Sequence, residues 1–253
     1  MPAAMSGLVW GEAEQARLEA IRDDLAKVST ASACQLLIGH GWRNATMVGI
    51  RPLFPLGLGQ RLVGRARTCR YLPRREAETP IPPETLRNSP ERVLMESLQP
   101  GDIICFDALG VTTAGVMGDI YAARIQARGA IAAMVHGAVR DAPFIREVGL
   151  PVFANTTHPS HSGRDLVPVD HDQPINMGGA QVLPGDIILA DDEGALAMPL
   201  HLAEEIAAHG PEKELLEAWI RGKVVAGGSL HDYYPPNQET KQAYVAERGK
   251  SAT

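Results

Sequence analysis

The chain has little cysteine, little aromatic surface and no long apolar run. Its 253 residues include three cysteines, Cys34, Cys69 and Cys105, far apart and never in a C-x-x-C pair. That disfavours both a disulfide framework and a structural zinc site, and reads as buried thiols. Asp, Arg or Gly interrupts every apolar stretch well before the roughly 18 residues that a bilayer crossing needs, so no membrane span is expected. The start, Met1-Pro2-Ala3-Ala4-Met5, sets no basic segment before an apolar run, so no secretory signal is expected and a cytoplasmic setting is. Positive charge is not in excess. A formal net charge of −6 speaks against a nucleic-acid binder held by phosphate contacts, which needs a dense basic face. The G-x-S-x-G elbow, the phosphate-binding G-x-x-x-x-G-K-[ST] loop and H-E-x-x-H are also absent.

What is present is an ordinary globular composition, 45% hydrophobic and 21% charged, in a chain of single-domain length. Leu18, Ile21 and Leu25 recur at helical spacing between Glu12 and Val28, and Ser29-Thr30 caps a second helix over Ala31 to Ile38. Alternation over Arg61 to Leu72 predicts a strand, and a proline-rich loop follows from Pro73 to Pro83. Ser89-Pro90-Glu91 starts a helix with a capping hydroxyl, a first-turn proline and an early acid. Beyond it the chain alternates buried strands (Ile103 to Phe106, Ala130 to Val135, Pro151 to Ala154) with helices (Asp119 to Arg128, Pro143 to Val148). That pattern predicts an α/β layered domain with parallel pairing through crossovers. Pro-Gly-Asp-Ile-Ile occurs at 100–104 and again at 184–188, a weak internal similarity. Loops and short β segments are expected between Asn155 and Pro184. A helix is expected over Ala203 to Val224, broken at Gly210-Pro211, and the tail around Tyr233-Tyr234-Pro235-Pro236 has the composition of a docked segment.

Candidate chemistry is unevenly distributed. His158, His161 and His171, beside Asp170 and Asp172, sit among loop formers and read as solvated histidines rather than metal ligands. Arg61, Arg65, Arg67, Arg70, Arg74 and Arg75 read as a solvated strand face, with steering of an anionic substrate as the functional alternative. Gly57-Leu58-Gly59 with Gly64 precedes a strand, which disfavours a dinucleotide loop. The informative segment is Gly115 to Tyr121. Glycines ahead of a helix leave the first-turn N–H groups facing outward, a carboxylate or phosphate site, with Asp119 at the helix start. Asp119 could equally be a plain helix cap and Gly118 a plain turn residue. Arg140-Asp141 falls where a strand gives way to a loop, the usual place for functional groups on an open α/β sheet. A guanidinium beside a carboxylate there can serve an anionic substrate and a hard cation together.

Gly118-Asp119, then Arg140-Asp141, Gly149 to Ala154, Gly178-Gly179, Pro184-Gly185-Asp186 and Asp191-Asp192-Glu193-Gly194 form an ordered set between about Pro100 and Pro199. This set resembles the regulator of ribonuclease activity A-like family, which includes metal-dependent 4-hydroxy-4-methyl-2-oxoglutarate and 4-carboxy-4-hydroxy-2-oxoadipate aldolases. The resemblance implies one swivelling β/β/α layered domain over 1–253, with an N-terminal helical segment at about 12–40 and a C-terminal helix and tail at about 203–253. It implies homotrimers or homohexamers with interfacial sites and a lyase that cleaves a 4-hydroxy-2-oxo acid to pyruvate, with oxaloacetate decarboxylation as a side activity. By carry-over, Asp141 would ligate Mg²⁺ or Mn²⁺, Arg140 would bind the 2-oxo acid group, and N–H groups around Gly118, Ile120 and Tyr121 would hold its carboxylate. Asp119 would hydrogen-bond a metal-bound water. Departures at Met1 to Gly49 and after Val224, with no match for the acid borrowed from a neighbouring subunit, leave room for a sugar-derived 2-oxo acid. A non-catalytic regulator that binds a protein partner is the other class.

Overall fold

Along each central strand successive apolar residues are buried on opposite faces, and this dictates the layering. A computed structural model describes residues 10–75 and 83–251. The elements run α1 (Glu12–Leu25), α2 (Thr30–Gly39), β1 (Arg51–Pro52), β2 (Leu62–Pro73), α3 (Pro83–Arg87), α4 (Pro90–Ser97) and β3 (Asp102–Gly115). Then come α5 (Asp119–Ala127), β4 (Ala132–Val139), α6 (Ala142–Val148), β5 (Val152–Thr157), a 3₁₀ turn at Ser162–Arg164, β6 (Leu166–His171), β7 (Ile175–Met177) and β8 (Ala180–Val182). The chain ends through β9 (Ile187–Asp191), β10 (Gly194–Met198), α7 (Leu200–Val225), α8 (Leu230–Tyr233) and α9 (Gln238–Ser251).

The main sheet has the order β1-β5-β4-β3-β2-β9-β10, with β6 also on β2, and β7 and β8 form a separate hairpin. Strands β2 to β5 pair in parallel, whereas β9 and β6 lie antiparallel to β2. On one face Ile104, Phe106, Ala133, Val135 and Val152 pack with Leu94 of α4, Ala122 and Ile125 of α5 and Ile145 of α6. On the other, Ile103, Cys105, Ala132, Met134 and Phe153 meet Ile175, Met177, Ala180 and Val182 of the hairpin. A third cluster joins Leu189 and Leu196 to Leu18, Leu25, Leu37 and Ile206 of α1, α2 and α7. The result is the expected β/β/α layering with helical additions at both ends.

The repeated pentapeptide makes two equivalent turns that flank β2. Gly101 and Gly185 take φ of 86° and 90°, a region open to glycine without strain. Each following aspartate accepts an N–H three residues back, Asp102 from Gln99 and Asp186 from Leu183, both at 2.8 Å. Asp102 also meets Arg65 at 2.6 Å. Asp186 has no such cation among the described residues, and burial pushes its carboxyl up to about 6, opposed by the Leu183 N–H.

Several expectations change. Cys69 and Cys105 are buried, but Cys34 is only half-buried, since it packs at the margin of the third cluster beside Thr46. Arg65 and Arg67 are not a solvated face: both guanidiniums are largely buried in ion pairs with Asp102, and Arg67 also pairs with Asp172, while Arg70 pairs with Asp170. Gly210-Pro211 does not break α7. A proline costs roughly 3 kcal/mol inside a helix, and burial of Leu202, Ala203, Ile206 and Ala207 against α1 and α2 outweighs it. Much of the proline-rich loop, residues 76–82, and the N-terminal 1–9 lie outside the described residues. The tail docks: Trp219 of α7 stacks edge-on with Tyr233 and Tyr244 at 5.8 and 5.7 Å.

Candidate functional site

The parallel strands β3 and β4 end side by side, and the loops leaving them are tied together. The Val116 N–H donates to the Ala138 carbonyl at 3.0 Å, and the Arg140 N–H donates to the Met117 carbonyl at 2.9 Å. The segment after β5 closes over them, because Gly115 donates to the Ser160 carbonyl at 2.8 Å and bridges to His161. Between these loops lies a cleft of about 330 Å³ lined by residues 115–121 with Arg92, Arg140, His161 and Ser162.

Gly118 is the N-cap of α5, so Asp119 is the first helical residue rather than the cap. The amides of Asp119, Ile120 and Tyr121 precede the first i to i−4 bond, which Ala122 makes to the Gly118 carbonyl at 3.0 Å. They are the free donors of a helix start, in the wall of the cleft. Arg140 and Asp141 pair with each other, Nε to Oδ2 at 2.9 Å. Asp141 has left-handed backbone (φ 55°) as N-cap of α6, yet its carboxylate makes no capping bond. That conformation is uncommon outside glycine, asparagine and aspartate. Gly118 faces this pair so closely that a Cβ there would stand 2.6 Å from Asp141 Oδ2 and 3.3 Å from Arg140 Nε.

All six residues singled out from the sequence (Gly118, Asp119, Ile120, Tyr121, Arg140 and Asp141) therefore meet at one place, with Asp141 behind Arg140 rather than in the cleft wall. The three histidines do not converge: His158 accepts the Ser160 N–H at 3.1 Å, His171 faces Asp172 at 3.0 Å, and only His161 lines the cleft. No group of three or more His, Cys, Asp or Glu is arranged to hold a metal ion among the described residues. A hard divalent cation can nonetheless be held by one or two carboxylates with water and substrate oxygens, and of the acids here Asp141, uncapped but paired with Arg140, has the chemistry for that mode.

Sequence reasoning passed over Arg92, which reads there only as part of a helix start. Its Nε donates to Tyr121 Oη at 3.2 Å. Tyr121 Oη in turn lies 3.5 Å from Glu91 Oε1, which also accepts from Ser89 Oγ at 2.8 Å. Burial raises both the Glu91 carboxyl and the Tyr121 phenol above their ordinary values, although Ser89 and Arg92, respectively, oppose the shift.

Comparison with known proteins places the chain in a family. The profile described as RraA-like, Aldolase/RraA, matches residues 26–197, starting well before the segment that carries the sequence resemblance. The 4-hydroxy-4-methyl-2-oxoglutarate aldolase of Thermus thermophilus is 31% identical over 112 residues, 44% of this chain and 68% of that protein. Protein DlpA of Legionella pneumophila is 31% identical over 183 residues, 72% of this chain but only 28% of its own length, so the chain spans about a quarter of that relative. Streptomyces coelicolor RraAS2, described as an unusual member of the RNase ES inhibitor RraA protein family, superposes with a TM-score of 0.71. It is 31% identical over 80% of this chain and 96% of that one. With its profile match over most of the chain and its fold shared with RraAS2, the chain belongs to the RraA-like Aldolase/RraA family.

Proposed function

We propose that the chain is a carbon–carbon lyase that releases pyruvate from a 4-hydroxy-2-oxo acid. The observation that carries the reading is the convergence of the α5 start with Arg140 and Asp141 across a glycine whose Cβ would press on the Asp141 carboxylate. The amides of Ile120 and Tyr121 hold the substrate carboxylate, where the helix start favours an anion. Arg140 faces the 2-keto oxygen and stabilises the negative charge that develops there as the C3–C4 bond breaks. Asp119 holds the water that takes the proton from the C4 hydroxyl. Asp141 would hold Mg²⁺ or Mn²⁺, which would supply Lewis acidity there. The same charge development serves oxaloacetate, so its decarboxylation accompanies the aldol cleavage.

Apolar side chains flank the cleft on the outside, Ile120 being 75% and Phe144 56% exposed. They support a homotrimer or homohexamer with the sites at subunit interfaces. Among the described residues no helix is long and apolar enough to cross a membrane, and the free thiols accord with a cytoplasmic setting.

The test is pyruvate release from 4-hydroxy-4-methyl-2-oxoglutarate and from oxaloacetate, with Mg²⁺ or Mn²⁺ and again with a chelator. Chelator-sensitive pyruvate from wild type, lost in a folded Asp141→Ala variant, is expected. A second reading, a non-catalytic regulator that binds a protein, is favoured by one observation: the fold is shared over 80% of the chain with RraAS2, described as a member of the RNase ES inhibitor RraA protein family. No turnover across a panel of 2-oxo acids selects it.

A further inference from the structure

The cleavage described above leaves one proton unassigned. When the C3–C4 bond breaks, its electron pair passes into the enolate of pyruvate, and C3 must gain a proton before pyruvate forms. Among the side chains that line the cleft, the guanidiniums of Arg92 and Arg140 do not release a proton near neutral pH, and the Ser162 hydroxyl is too weak an acid to do so. Burial raises the Tyr121 phenol, and its Oη already lies between Arg92 and Glu91. Asp119 serves the C4 hydroxyl through its water. His161 remains, and imidazole is the side chain that ordinarily gives and takes a proton between pH 5 and 8.

His161 is fixed in its backbone and open at its ring. Ahead of it, the His158 N–H donates to the Val139 carbonyl at 2.8 Å, and the Ser160 carbonyl accepts the Gly115 N–H at 2.8 Å. Behind it, the His161 carbonyl accepts the Arg164 N–H at 3.3 Å, and Arg74 Nη1 donates to the Gly163 carbonyl. The segment is thereby tied to the ends of β3 and β4, the strands that lead to Asp119 and Arg140. The ring lies against Gly163, where a Cβ would stand 3.1 Å from Nδ1 and 3.3 Å from Cε1, so Nε2 is the nitrogen farther from that backbone. His136, His158 and His171 are engaged in the fold: His136 Nδ1 lies 3.2 Å from Asp107 Oδ1, His158 Nδ1 accepts the Ser160 N–H, and His171 Nδ1 faces Asp172. The exposed ring of His161 has no hydrogen bond or ion pair among the described residues.

Resting on the lyase reading, the geometry points to His161 as the catalytic acid that protonates C3. The C4 hydroxyl gives its proton to the water held by Asp119 as C4 becomes the carbonyl of the leaving product. The C3–C4 electron pair becomes the enolate, and the imidazolium gives its proton to C3 as the C2 carbonyl re-forms. Neutral His161 recovers a proton from solvent, so the cycle closes without an oxidant or other reactant. With pyruvate alone the same ring runs in both directions, removing and returning a C3 hydrogen.

The experiment follows hydrogen–deuterium exchange at C3 of pyruvate and of 2-oxobutyrate by proton NMR in D₂O with Mg²⁺, in wild type, His161→Asn and His161→Gln. Wild type should exchange pyruvate and replace only one of the two C3 hydrogens of 2-oxobutyrate, the mark of a proton delivered to one face. Both variants should keep the wild-type thermal midpoint and bind pyruvate in calorimetry within about twofold, yet lose roughly 100-fold or more of the exchange rate, the worth of a positioned acid or base. Added imidazole should restore part of the exchange to His161→Asn. Unchanged exchange in both variants overturns the proposal, and so does a loss matched by an equal loss of pyruvate binding, which a merely structural ring would give. Equal exchange of both C3 hydrogens of 2-oxobutyrate in wild type also overturns it, since solvent then protonates C3. Wild type that releases pyruvate from 4-hydroxy-4-methyl-2-oxoglutarate without exchanging it overturns the proposal and leaves the lyase reading standing. Neither release nor exchange in wild type overturns both.

Discussion

At the scale of single residues, the site depends on one missing side chain. Gly118→Ala places a methyl 2.6 Å from Asp141 Oδ2, which must push the carboxylate or Arg140 aside. Displacements near 1 Å at a reacting centre cost on the order of 100-fold in rate. The variant should fold, keep its thermal midpoint within a few degrees and lose about that much kcat/KM in a pyruvate assay. Asp186 gives the opposite case, a residue whose effect is on stability. Burial holds its carboxyl up at about 6, above the ordinary value near 4. The folded chain therefore binds this proton more tightly than the unfolded chain. Its contribution is full below pH ~4 and is lost as the pH rises through 6. Asp186→Asn keeps an acceptor for the Leu183 N–H and removes the charge. It should raise the unfolding free energy by about 1–3 kcal/mol at pH 8 and by little at pH 4, as read from denaturant titrations at the two pH values.

At the scale of elements, the strands and helices from β3 to β5 were legible because local signals agreed there: capping residues, glycine stops and period-two burial. That six residues of the candidate site would meet was legible as well, since Gly118-Asp119 and Arg140-Asp141 lie at element ends that the alternation itself locates. Arg92 was not, because only α4 packing beside α5 turns a helix-surface arginine towards the cleft. The arginines of β2 were misread for a related reason: their partners Asp102 and Asp172 come from segments distant in sequence. Pro211 was misread because local propensity was outweighed by tertiary burial along α7. That misreading leads to a measurement. Pro211→Ala returns an N–H to the Ala207 carbonyl and should stabilise the chain by about 1–2 kcal/mol, the helical gain less the added freedom of the unfolded chain. In a chain of this size the midpoint in calorimetry should rise by roughly 2–4 °C per kcal/mol.

At the scale of the whole molecule, the exposed flank of the cleft is the feature to test. Ile120 and Phe144 lie on the outside of α5 and α6 beside the cleft. Phe144→Glu puts a charge into any interface there, where an unpaired buried charge costs several kcal/mol. Light scattering should show the particle mass fall towards that of one chain, with turnover falling in step. An unchanged mass would place the subunit contacts elsewhere.

The distribution of the three thiols has a practical consequence. Cys69 and Cys105 are sealed in the core, their thiols held far above the range in which a thiolate forms, chiefly by burial. Cys34 alone is partly open, beside Thr46 and away from the cleft. The native sequence thus carries a single addressable handle per chain. A maleimide fluorophore placed there, without mutation, would let energy transfer between copies count subunits and follow their assembly while the cleft stays free for substrate.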